Sequence, residues 1–310
     1  MTYMRILITG ESGMLGRAIS KSLQNSNDKH FILKPAHSEL DLLDLGSIRL
    51  YLAKNEIDSI IHCAALVGGI QANIENPFEY LNTNIRIDSN LMSAARAQKV
   101  TNFLYIASSC IYPAGTSQPM KETQLLTGTL EETNEGYALA KIVGAKMVQA
   151  VARSQNWRTL VLSNLYGPGD KYNLSESHLV AAIIRKVMEA KGTNAQNIRM
   201  WGTGNVRREF TFVNDVAGYV SRIIHNLDQI PHIMNLGSGV DYSVKEYYEL
   251  VCEAADYSGE IISDPTRPEG MRSKLMDSSI AHKNGWVPTT DIRVGIKLAI
   301  EDFSLNHRSV

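Results

Sequence analysis

The chain opens with a predicted strand, a glycine-rich turn and a helix, and this order constrains the fold more than any other feature. Residues 5–9 are a continuous apolar run, rich in β-branched side chains, as in a strand buried in a parallel sheet. Gly10, Gly13 and Gly16 follow at once, and a helical pattern then runs to about Gln24. Glycines at this spacing allow a tight turn and close approach of the backbone to a pyrophosphate. We therefore expect a dinucleotide site at the helix N-terminus.

Further apolar runs predict strands, and helical patterns separate them. The strands are expected at residues 31–33, 59–65, 102–108 and 159–162. Helices are expected at residues 85–98 and 137–153. Strands that alternate with helices indicate a Rossmann-type α/β fold, in which a doubly wound parallel sheet is covered on both faces.

The pattern is less regular beyond Pro168, where a smaller unit is predicted. A helix is expected at residues 178–190, strands at 198–201 and 210–213, and a helix at 243–255 that is capped by Ser243. We expect residues 1–164 to form the dinucleotide-binding domain, to which residues 209–236 return. Residues 165–310 are otherwise expected to form a C-terminal α/β lobe that binds the substrate.

Composition and charge exclude several classes of protein. A formal net charge of −1 and a pI near 6.7 give no electrostatic reason to expect nucleic acid or an anionic membrane as a partner. The three cysteines are widely spaced, which argues against a disulfide framework or a structural metal site and is typical of a cytoplasmic protein. No apolar segment is long enough to span a bilayer, and the first apolar run is too short for a signal peptide.

Tyr137 and Lys141 are four residues apart, so a helix places them on one face, one turn from each other. An ammonium and a serine hydroxyl close to a phenol favour the phenolate and lower the tyrosine pKa toward neutral pH. Ser108, at the end of a predicted strand, is the candidate hydroxyl. Such a group suits reduction of a ketone, or oxidation of an alcohol, at a nicotinamide ring. The same spacing also arises by chance, so its meaning depends on the surrounding residues.

The end of the second predicted strand bears on the choice of nicotinamide cofactor. An acidic residue there would bind the ribose hydroxyls of NAD, but the chain has Lys34 and His37 with no acid between them. Positive side chains at this place favour NADP(H) and leave NAD(H) as the alternative. Asp41 and Leu42 follow, where they would face the adenine.

Several longer motifs carry a resemblance to a known family. Residues 64–70, 108–113, 134–141 and 164–168 read AALVGGI, SSCIYP, NEGYALAK and NLYGP, and Ser-His, WGTG and REF segments follow at 177, 201 and 208. With these motifs the chain resembles, nearly end to end, the GDP-L-fucose synthase family of the extended short-chain dehydrogenase/reductase superfamily. The SSCIYP segment and the later Ser-His pair are the narrowest of these signals, because the glycine and YxxxK motifs mark only the superfamily.

The resemblance implies an NADP-dependent enzyme that inverts C3 and C5 and reduces C4 of a GDP-4-keto-6-deoxy sugar. Ser108, Tyr137 and Lys141 would reduce the ketone, and Cys110 and His178 would be the acid–base pair for epimerisation. The implied cofactor-binding residues are Gly10, Gly13, Met14, Leu15, Gly16, His37, Asp41, Leu42, Ala64, Ala65, Tyr137, Lys141, Asn164, Leu165 and His178. The implied substrate-binding residues are Ser109, Asn164, Lys186, Trp201, Arg208 and Lys274.

The chain departs from the family pattern at several places. Leu66 stands where the family has lysine, and Ser12 and His37 stand where it often has arginines near the adenosine phosphate. Lys186 replaces a family arginine, and Ser273 replaces the first residue of an Arg-Lys pair. These departures weaken the implied preference for NADP and leave the identity of the sugar open.

Three other functions are consistent with the sequence. One is a C4 reductase of a GDP-6-deoxy-heptose or a related sugar with reduced or no epimerase activity, and another is a 4-epimerase that retains its NAD. The third is a dehydrogenase fold used for nucleotide sensing or as a scaffold, which the joint presence of Ser108, Tyr137 and Lys141 disfavours. The resemblance also implies a homodimer in which the helices near residues 85 and 137 pair across a two-fold axis.

Overall fold

The computed structural model describes residues 3–173, 177–266 and 270–306. The strands are β1 (Met4–Thr9), β2 (His30–Leu33), β3 (Ser59–His62), β4 (Asn102–Ser108), β5 (Asn156–Leu162), β6 (Asn164–Tyr166), β7 (Asn197–Trp201), β8 (Arg207–Phe212), β9 (Ile233–Leu236), β10 (Asp241–Ser243) and β11 (Glu260–Asp264). The helices are α1 (Met14–Gln24), α2 (Leu45–Asn55), α3 (Ile70–Glu75), α4 (Pro77–Ala97), α5 (Glu135–Val151), α6 (Leu179–Gly192), α7 (Val213–Ile223), α8 (Val244–Ala254), α9 (Ser279–Lys283) and α10 (Ile292–Asn306). Within these ranges no helix has both the length and the apolar character needed to cross a bilayer.

A parallel sheet forms the centre of the molecule. Its six strands are hydrogen-bonded in the order β2-β1-β3-β4-β5-β9, and every pairing between them is parallel. Helices cover both faces, which confirms the predicted Rossmann-type α/β fold. The strand order reverses at β1 and β3, whose carboxyl ends meet where Gly10 approaches Ala64. Open α/β sheets bind their ligands at such a reversal.

Alternate side chains of the central strands pack on opposite faces of the sheet. Phe103 of β4 belongs to a buried cluster with Leu91 of α4 and Trp157 of β5. Its neighbour Leu104 belongs to a second cluster with Ile19 of α1 on the other face. Because both faces are covered, the central strands are apolar at successive positions, and this is the pattern that predicted them.

A smaller body of structure follows the central sheet. It contains a three-stranded sheet in the order β10-β8-β6 and a two-stranded pair of β11 and β7. Ile184 of α6, Tyr247 of α8 and Ile296 of α10 share its buried core. β9 lies in the central sheet and α7 contacts α1, whereas β8 lies in the three-stranded sheet. The division of the chain into domains at residue 164 stays a prediction.

The bounds of some elements differ from those expected. α4 begins at Pro77, well before residue 85, because proline suits the first turn of a helix. β3 ends at His62, so residues 63–65 leave the sheet beside the glycine turn. The capped helix after Ser243 is confirmed: the Ser243 hydroxyl accepts from the Glu246 N–H at 3.1 Å, and Glu246 Oε2 accepts from the Ser243 N–H at 2.6 Å.

Candidate active site

The glycine turn closes on the carboxyl end of β3. Gly10 has a φ of 71°, and a Cβ there would stand 2.6 Å from the backbone nitrogen of Ala64. A Cβ at Gly16 would overlap the carbonyl oxygen of Gly10. Gly13 precedes α1, where Met14 and Leu15 form a first turn without acidic residues. The N–H groups and the dipole at this helix end therefore fit the negative charge of a cofactor pyrophosphate.

Two contacts between a basic side chain and a carboxylate lie at the end of β2. Lys34 Nζ lies 3.0 Å from Glu11 Oε1, and His37 Nε2 lies 3.7 Å from Asp41 Oδ1. Glu11 belongs to the glycine turn, so a carboxylate of this turn pairs with Lys34, the lysine that was predicted to favour NADP(H). Leu42 packs against the core beneath this surface. The predicted cations are in place, but each has a carboxylate close to it.

A short turn places Cys110 against Ser108. Ser108 is the last residue of β4, and a helical turn from Ser109 to Ile111 follows, with Cys110 at its centre. The Cys110 thiol is buried, and the Ser108 side chain is one of the groups that act on it. Burial raises the pKa of the Cys110 thiol, while Lys274, Ser108 and Lys141 act to lower it. The thiol is therefore a weak acid that lies beside groups able to stabilise its ionised form.

Tyr137 and Lys141 lie on one face of α5, as their spacing predicted. Lys141 Nζ lies 5.8 Å from the centre of the Tyr137 ring and donates to the Ile106 carbonyl oxygen at 3.2 Å. Burial raises the pKa of Tyr137 well above its ordinary value, and negative charge on Cys110 and Asp88 raises it further. The pKa of Tyr137 is thus raised, and not lowered as the spacing suggested, because burial contributes most to it. The phenol thus stays protonated, as a proton donor must be.

Lys274 reaches the same place from the C-terminal part of the chain. Its Nζ lies 2.9 Å from Glu131 Oε2, and each of these side chains is 13% exposed. Burial alone would raise the pKa of Glu131, but Lys274, Thr133 and Arg208 outweigh burial and lower it. Lys274 also acts on the Cys110 thiol. Glu131, which the sequence did not single out, therefore joins two predicted substrate-binding cations beside the predicted catalytic thiol.

Lys186 and Trp201 lie together in the smaller body. Lys186 Nζ is 5.3 Å from the centre of the Trp201 ring and donates to the Tyr248 hydroxyl at 3.2 Å. Trp201 is 52% exposed. A large exposed indole beside an ammonium offers a surface on which a planar base can stack. Arg208 donates to the Met271 carbonyl oxygen at 2.6 Å, which ties β8 to the segment that carries Lys274.

Asn164, Leu165 and His178 lie where β6 and α6 begin. Asn164 Nδ2 donates to the Glu209 carbonyl oxygen at 3.2 Å, and Leu165 packs against the central core. His178 precedes α6 and makes no side-chain capping bond to it. Burial raises the pKa of Asp170, and His178 opposes that rise, so these two groups are neighbours. Among the contacts of the described residues none joins His178 to Cys110, and their pairing stays a prediction.

Asn84 fixes the loop that follows β3, and the sequence analysis did not identify this residue. Its Oδ1 accepts from the Leu66 N–H at 2.8 Å, and its Nδ2 donates to the Leu66 carbonyl oxygen at 3.0 Å. Both backbone groups of Leu66 are thus bonded to α4, whatever its side chain does. Ala64 and Ala65, predicted to contact the cofactor, are held at the start of the same loop.

A buried polar group behind Lys141 was also missed. It consists of four hydrogen-bonded residues, which we call the Asp88 network: Thr9, His62, Asp88 and Tyr105. The signal available in the sequence was Asp88, a charged residue on the buried face of the long helix α4. Such residues are rarely buried without a partner, so it indicated a buried polar group.

No metal site was predicted, and one group of potential ligands in the described ranges lies away from these residues. Asp28, His30 and His225 offer ligand atoms within 4.8 Å of one another. His30 is the first residue of β2, at the end of the sheet opposite to the glycine turn.

Comparison with known proteins identifies the family. Residues 6–237 match the model of the NAD dependent epimerase/dehydratase family. The chain belongs to this family. It is 38% identical over 309 residues to GDP-L-colitose synthase of Yersinia pseudotuberculosis, with 99% of each chain covered. It is 39% identical over 295 residues to GDP-L-fucose synthase of Azorhizobium caulinodans, with 94% of each covered.

A solved structure extends the comparison. GDP-mannoheptose C4 reductase from Campylobacter jejuni, with NADP bound, is 27% identical and has a TM-score of 0.88 over 98% of this chain and 99% of that one. The resemblance to the GDP-L-fucose synthase family, first drawn from short motifs, is confirmed.

Proposed function

We propose that this protein epimerises and reduces a GDP-4-keto-6-deoxy sugar, with NADP(H) as its cofactor. The observation that carries the proposal is the meeting of Ser108, Cys110, Tyr137 and Lys141 at the end of β4. Full-length similarity to GDP-L-colitose and GDP-L-fucose synthases supports the GDP-sugar, and NADP in the similar heptose reductase supports the cofactor. NAD(H) is the second cofactor to test, because Lys34 is already paired with a carboxylate.

Epimerisation requires proton transfer at the carbons beside the ketone. A carbonyl at C4 makes the protons at C3 and C5 acidic, and inversion needs a base on one face and an acid on the other. Cys110 and His178 would fill these roles, since a thiol and an imidazole both exchange protons near neutral pH. Lys274 and Ser108 act to lower the Cys110 pKa, and so favour the thiolate that abstracts the proton.

Reduction requires a hydride and a proton. The bound cofactor supplies the hydride. The Tyr137 phenol, kept protonated by burial, gives the proton to the oxygen at C4. Lys141 then lies close enough to stabilise the phenolate that remains, and it would also hold the cofactor ribose.

The smaller body would bind the nucleotide part of the substrate. An indole face at Trp201 with Lys186 beside it suits stacking of a base, and the planar Arg208 guanidinium suits diphosphate oxygens. Lys274 would then lie near the sugar. We therefore propose residues 165–310, apart from 209–236, as the substrate lobe.

A C4 reductase with reduced or no epimerase activity is the second candidate. Two observations favour it: the similarity to GDP-mannoheptose C4 reductase, and the burial that raises the pKa of Cys110. A thiol that ionises poorly would abstract the C3 or C5 proton slowly, whereas reduction through Tyr137 does not require it.

Solvent deuterium separates the two candidates. The protein is incubated in deuterated water with GDP-4-keto-6-deoxymannose and either NADPH or NADH, and the product is examined by NMR. Deuterium at C3 and C5 supports the bifunctional enzyme, and a reduced product without it supports the C4 reductase. If neither cofactor is consumed with this sugar or with a 4-keto-heptose analogue, the proposed function is wrong.

Two substitutions assign the steps. Cys110→Ala should abolish deuterium incorporation, and Cys252→Ala, which removes another buried thiol far from β4, should not. Tyr137→Phe should lower the rate of cofactor oxidation by about 10²–10⁴-fold, as expected for loss of a general acid. Reduction at an undiminished rate in Tyr137→Phe would remove the phenol from the mechanism.

We further propose a cytoplasmic homodimer. The outer faces of α4 and α5 expose Phe78, Leu139 and Val143, which are 67%, 37% and 38% accessible. Pairing of these helices with those of a second copy would cover them. All three cysteines are free, which fits a reducing compartment. Light scattering should give the mass of two chains, and the mass of one chain would contradict the dimer.

A further inference from the structure

The Asp88 network crosses the sheet behind Lys141 as a chain of hydrogen bonds. Thr9 Oγ1 lies 2.7 Å from His62 Nδ1, and His62 Nε2 lies 3.0 Å from Asp88 Oδ1. The Tyr105 hydroxyl donates to the other carboxylate oxygen of Asp88. None of the four residues is more than 3% exposed. They come from β1, β3, α4 and β4, so only the folded sheet brings them together.

Asp88 carries a negative charge inside this network. Burial would raise the pKa of Asp88, but Lys141 and the hydrogen bonds from His62 and Tyr105 outweigh burial and lower it. Burial also lowers the pKa of His62, more strongly than Asp88 raises it, so the imidazole is neutral. A buried charge requires a partner of opposite sign. The charge of Lys141 is the largest of the effects that lower the Asp88 pKa, and it acts across Tyr105: Lys141 is 3% exposed, and its Nζ lies 4.8 Å from the centre of the Tyr105 ring.

Helix α5 lacks a side chain where it passes the network. A Cβ at Gly144 would overlap the Tyr105 hydroxyl and would stand 2.8 Å from Asp88 Oδ2. Gly144 lies on the face of α5 that carries Lys141, one turn further along. Glycine inside a helix is destabilising relative to alanine. Its presence here indicates that the helix must approach the carboxylate this closely.

We propose that Asp88 is a positioning residue for the reduction: its carboxylate, held by His62 and Tyr105, fixes the ammonium of Lys141 beside Tyr137. This inference rests on the function proposed above. Asp88 is too deeply buried to touch the substrate, so it acts through Lys141. The Ile106 carbonyl accepts one Lys141 N–H, and the electrostatic pull of Asp88 supplies a second constraint on a flexible side chain.

The charge of Asp88 has a further effect on Tyr137. The groups that face Tyr137 are Cys110, Lys141, Asp88 and Tyr105. Burial contributes most to the raised pKa of Tyr137, and the negative charge on Cys110 and then on Asp88 adds to it. Loss of the Asp88 charge should therefore let the phenol ionise at lower pH. Since the phenol form donates the proton, reduction should then decline at lower pH.

Asp88→Asn tests the proposal because it keeps the size of the side chain and removes its charge. The pH profile of kcat for reduction should lose its basic limb at a pH lower by about one unit, the size of shift that a nearby charge produces. At neutral pH kcat should fall about tenfold while KM for the sugar changes little, because the substrate contacts are intact. Tyrosine labelled with ¹³C at Cζ gives the ionisation of Tyr137 directly by NMR, without substrate, once Tyr137→Phe has assigned the signal.

Two tyrosine variants complete the experiment. Tyr105→Phe removes the hydroxyl that holds the Asp88 carboxylate, so it should also lower kcat for reduction, and it replaces Asp88→Asn if that variant does not fold. Tyr219→Phe removes another buried hydroxyl, which donates to the Asn284 carbonyl oxygen at 3.1 Å, and should leave the profile unchanged. A kcat, a pH profile and a Tyr137 titration in Asp88→Asn that all match the natural protein overturn the proposal. If the natural protein reduces no keto-sugar, the proposed function fails, and the NMR titration still decides the role of Asp88.

Discussion

At the scale of single residues, the neighbours of a charged group decide what that group can do. Lys34 could be located from the sequence, but the carboxylate of Glu11 beside it could not, because a turn brings the two together. Tyr137 and Lys141 share a helix face as expected, yet burial raises the tyrosine pKa where the spacing alone suggested a lowering. The identity of a residue thus predicts its possible roles, and its surroundings select among them.

The Lys34–Glu11 pair leads to a prediction about cofactor choice. Glu11→Gln removes the carboxylate that competes with a cofactor phosphate for Lys34, so KM for NADPH should fall. An exposed ion pair contributes at most about 1 kcal/mol, which limits the improvement to about fivefold. KM for NADH, which has no such phosphate, should not change in steady-state assays with either cofactor.

A matched variant controls for the loss of any surface carboxylate. Glu253→Gln breaks an exposed ion pair with Arg293, far from the glycine turn, and should alter neither KM. An unchanged KM for NADPH in Glu11→Gln would show that Lys34 does not contact the cofactor phosphate.

At the scale of elements, backbone geometry at the ends of strands and helices positions the site. β4 ends at Ser108, the turn after it carries Cys110, and α5 then supplies Tyr137 and Lys141. The glycine turn between β1 and α1 would do the same for the proposed cofactor. Regular strands and helices were predicted well because their periodicity is local, whereas the first turns of α4, from Pro77, were missed.

The glycine turn gives a prediction about stability. Gly10→Ala introduces a Cβ that would stand 2.6 Å from the Ala64 nitrogen, at a φ of 71°. Strain at positive φ costs about 1 kcal/mol and overpacking about 1–3 kcal/mol more, so the free energy of unfolding should fall by about 2–4 kcal/mol. Urea denaturation measures it, and NADPH binding should weaken as well.

Gly115→Ala separates the two costs. Gly115 has a φ of 73°, and no atom lies within 4 Å of the position of its Cβ. This variant should lose only the strain contribution, about 1 kcal/mol. Equal losses in the two variants would mean that contact between the glycine turn and β3 does not limit the side chain at residue 10.

At the scale of the whole molecule, a buried carboxylate joins distant parts of the chain. Glu209 of β8 is fully buried, and its two oxygens accept the N–H groups of Gly239 at 2.7 Å and Met276 at 2.9 Å. The next residue toward the N-terminus is Arg208, which contacts the segment before Lys274. Glu209 therefore holds three chain segments together beside the predicted substrate cations.

Glu209 makes stability depend on pH. Burial raises its pKa from 4.5 to about 7, in spite of the two backbone donors. The folded protein therefore binds a proton that the unfolded chain has lost between these values, so stability should fall as pH rises from about 4.5 to 7. The loss should be at most about 3 kcal/mol. Thermal unfolding at a series of pH values measures it.

Glu209→Gln provides the comparison for this pH dependence. Glutamine does not titrate, so its stability should vary less across the same pH range, even if the variant is less stable at every pH. An identical dependence in the two proteins would assign the effect to other groups.

The sequence by itself determined the alternation of strands and helices and the glycine turn between β1 and α1, and it predicted the candidate residues of the reductase group, because these depend on local periodicity and on short motifs. Only the tertiary structure decided which charges meet. Glu131 pairs with Lys274 across the chain, and the Asp88 network draws on β1, β3, α4 and β4. Contacts between residues far apart in sequence, and the burial that shifts their pKa values, arise from packing and leave no periodic trace in the chain.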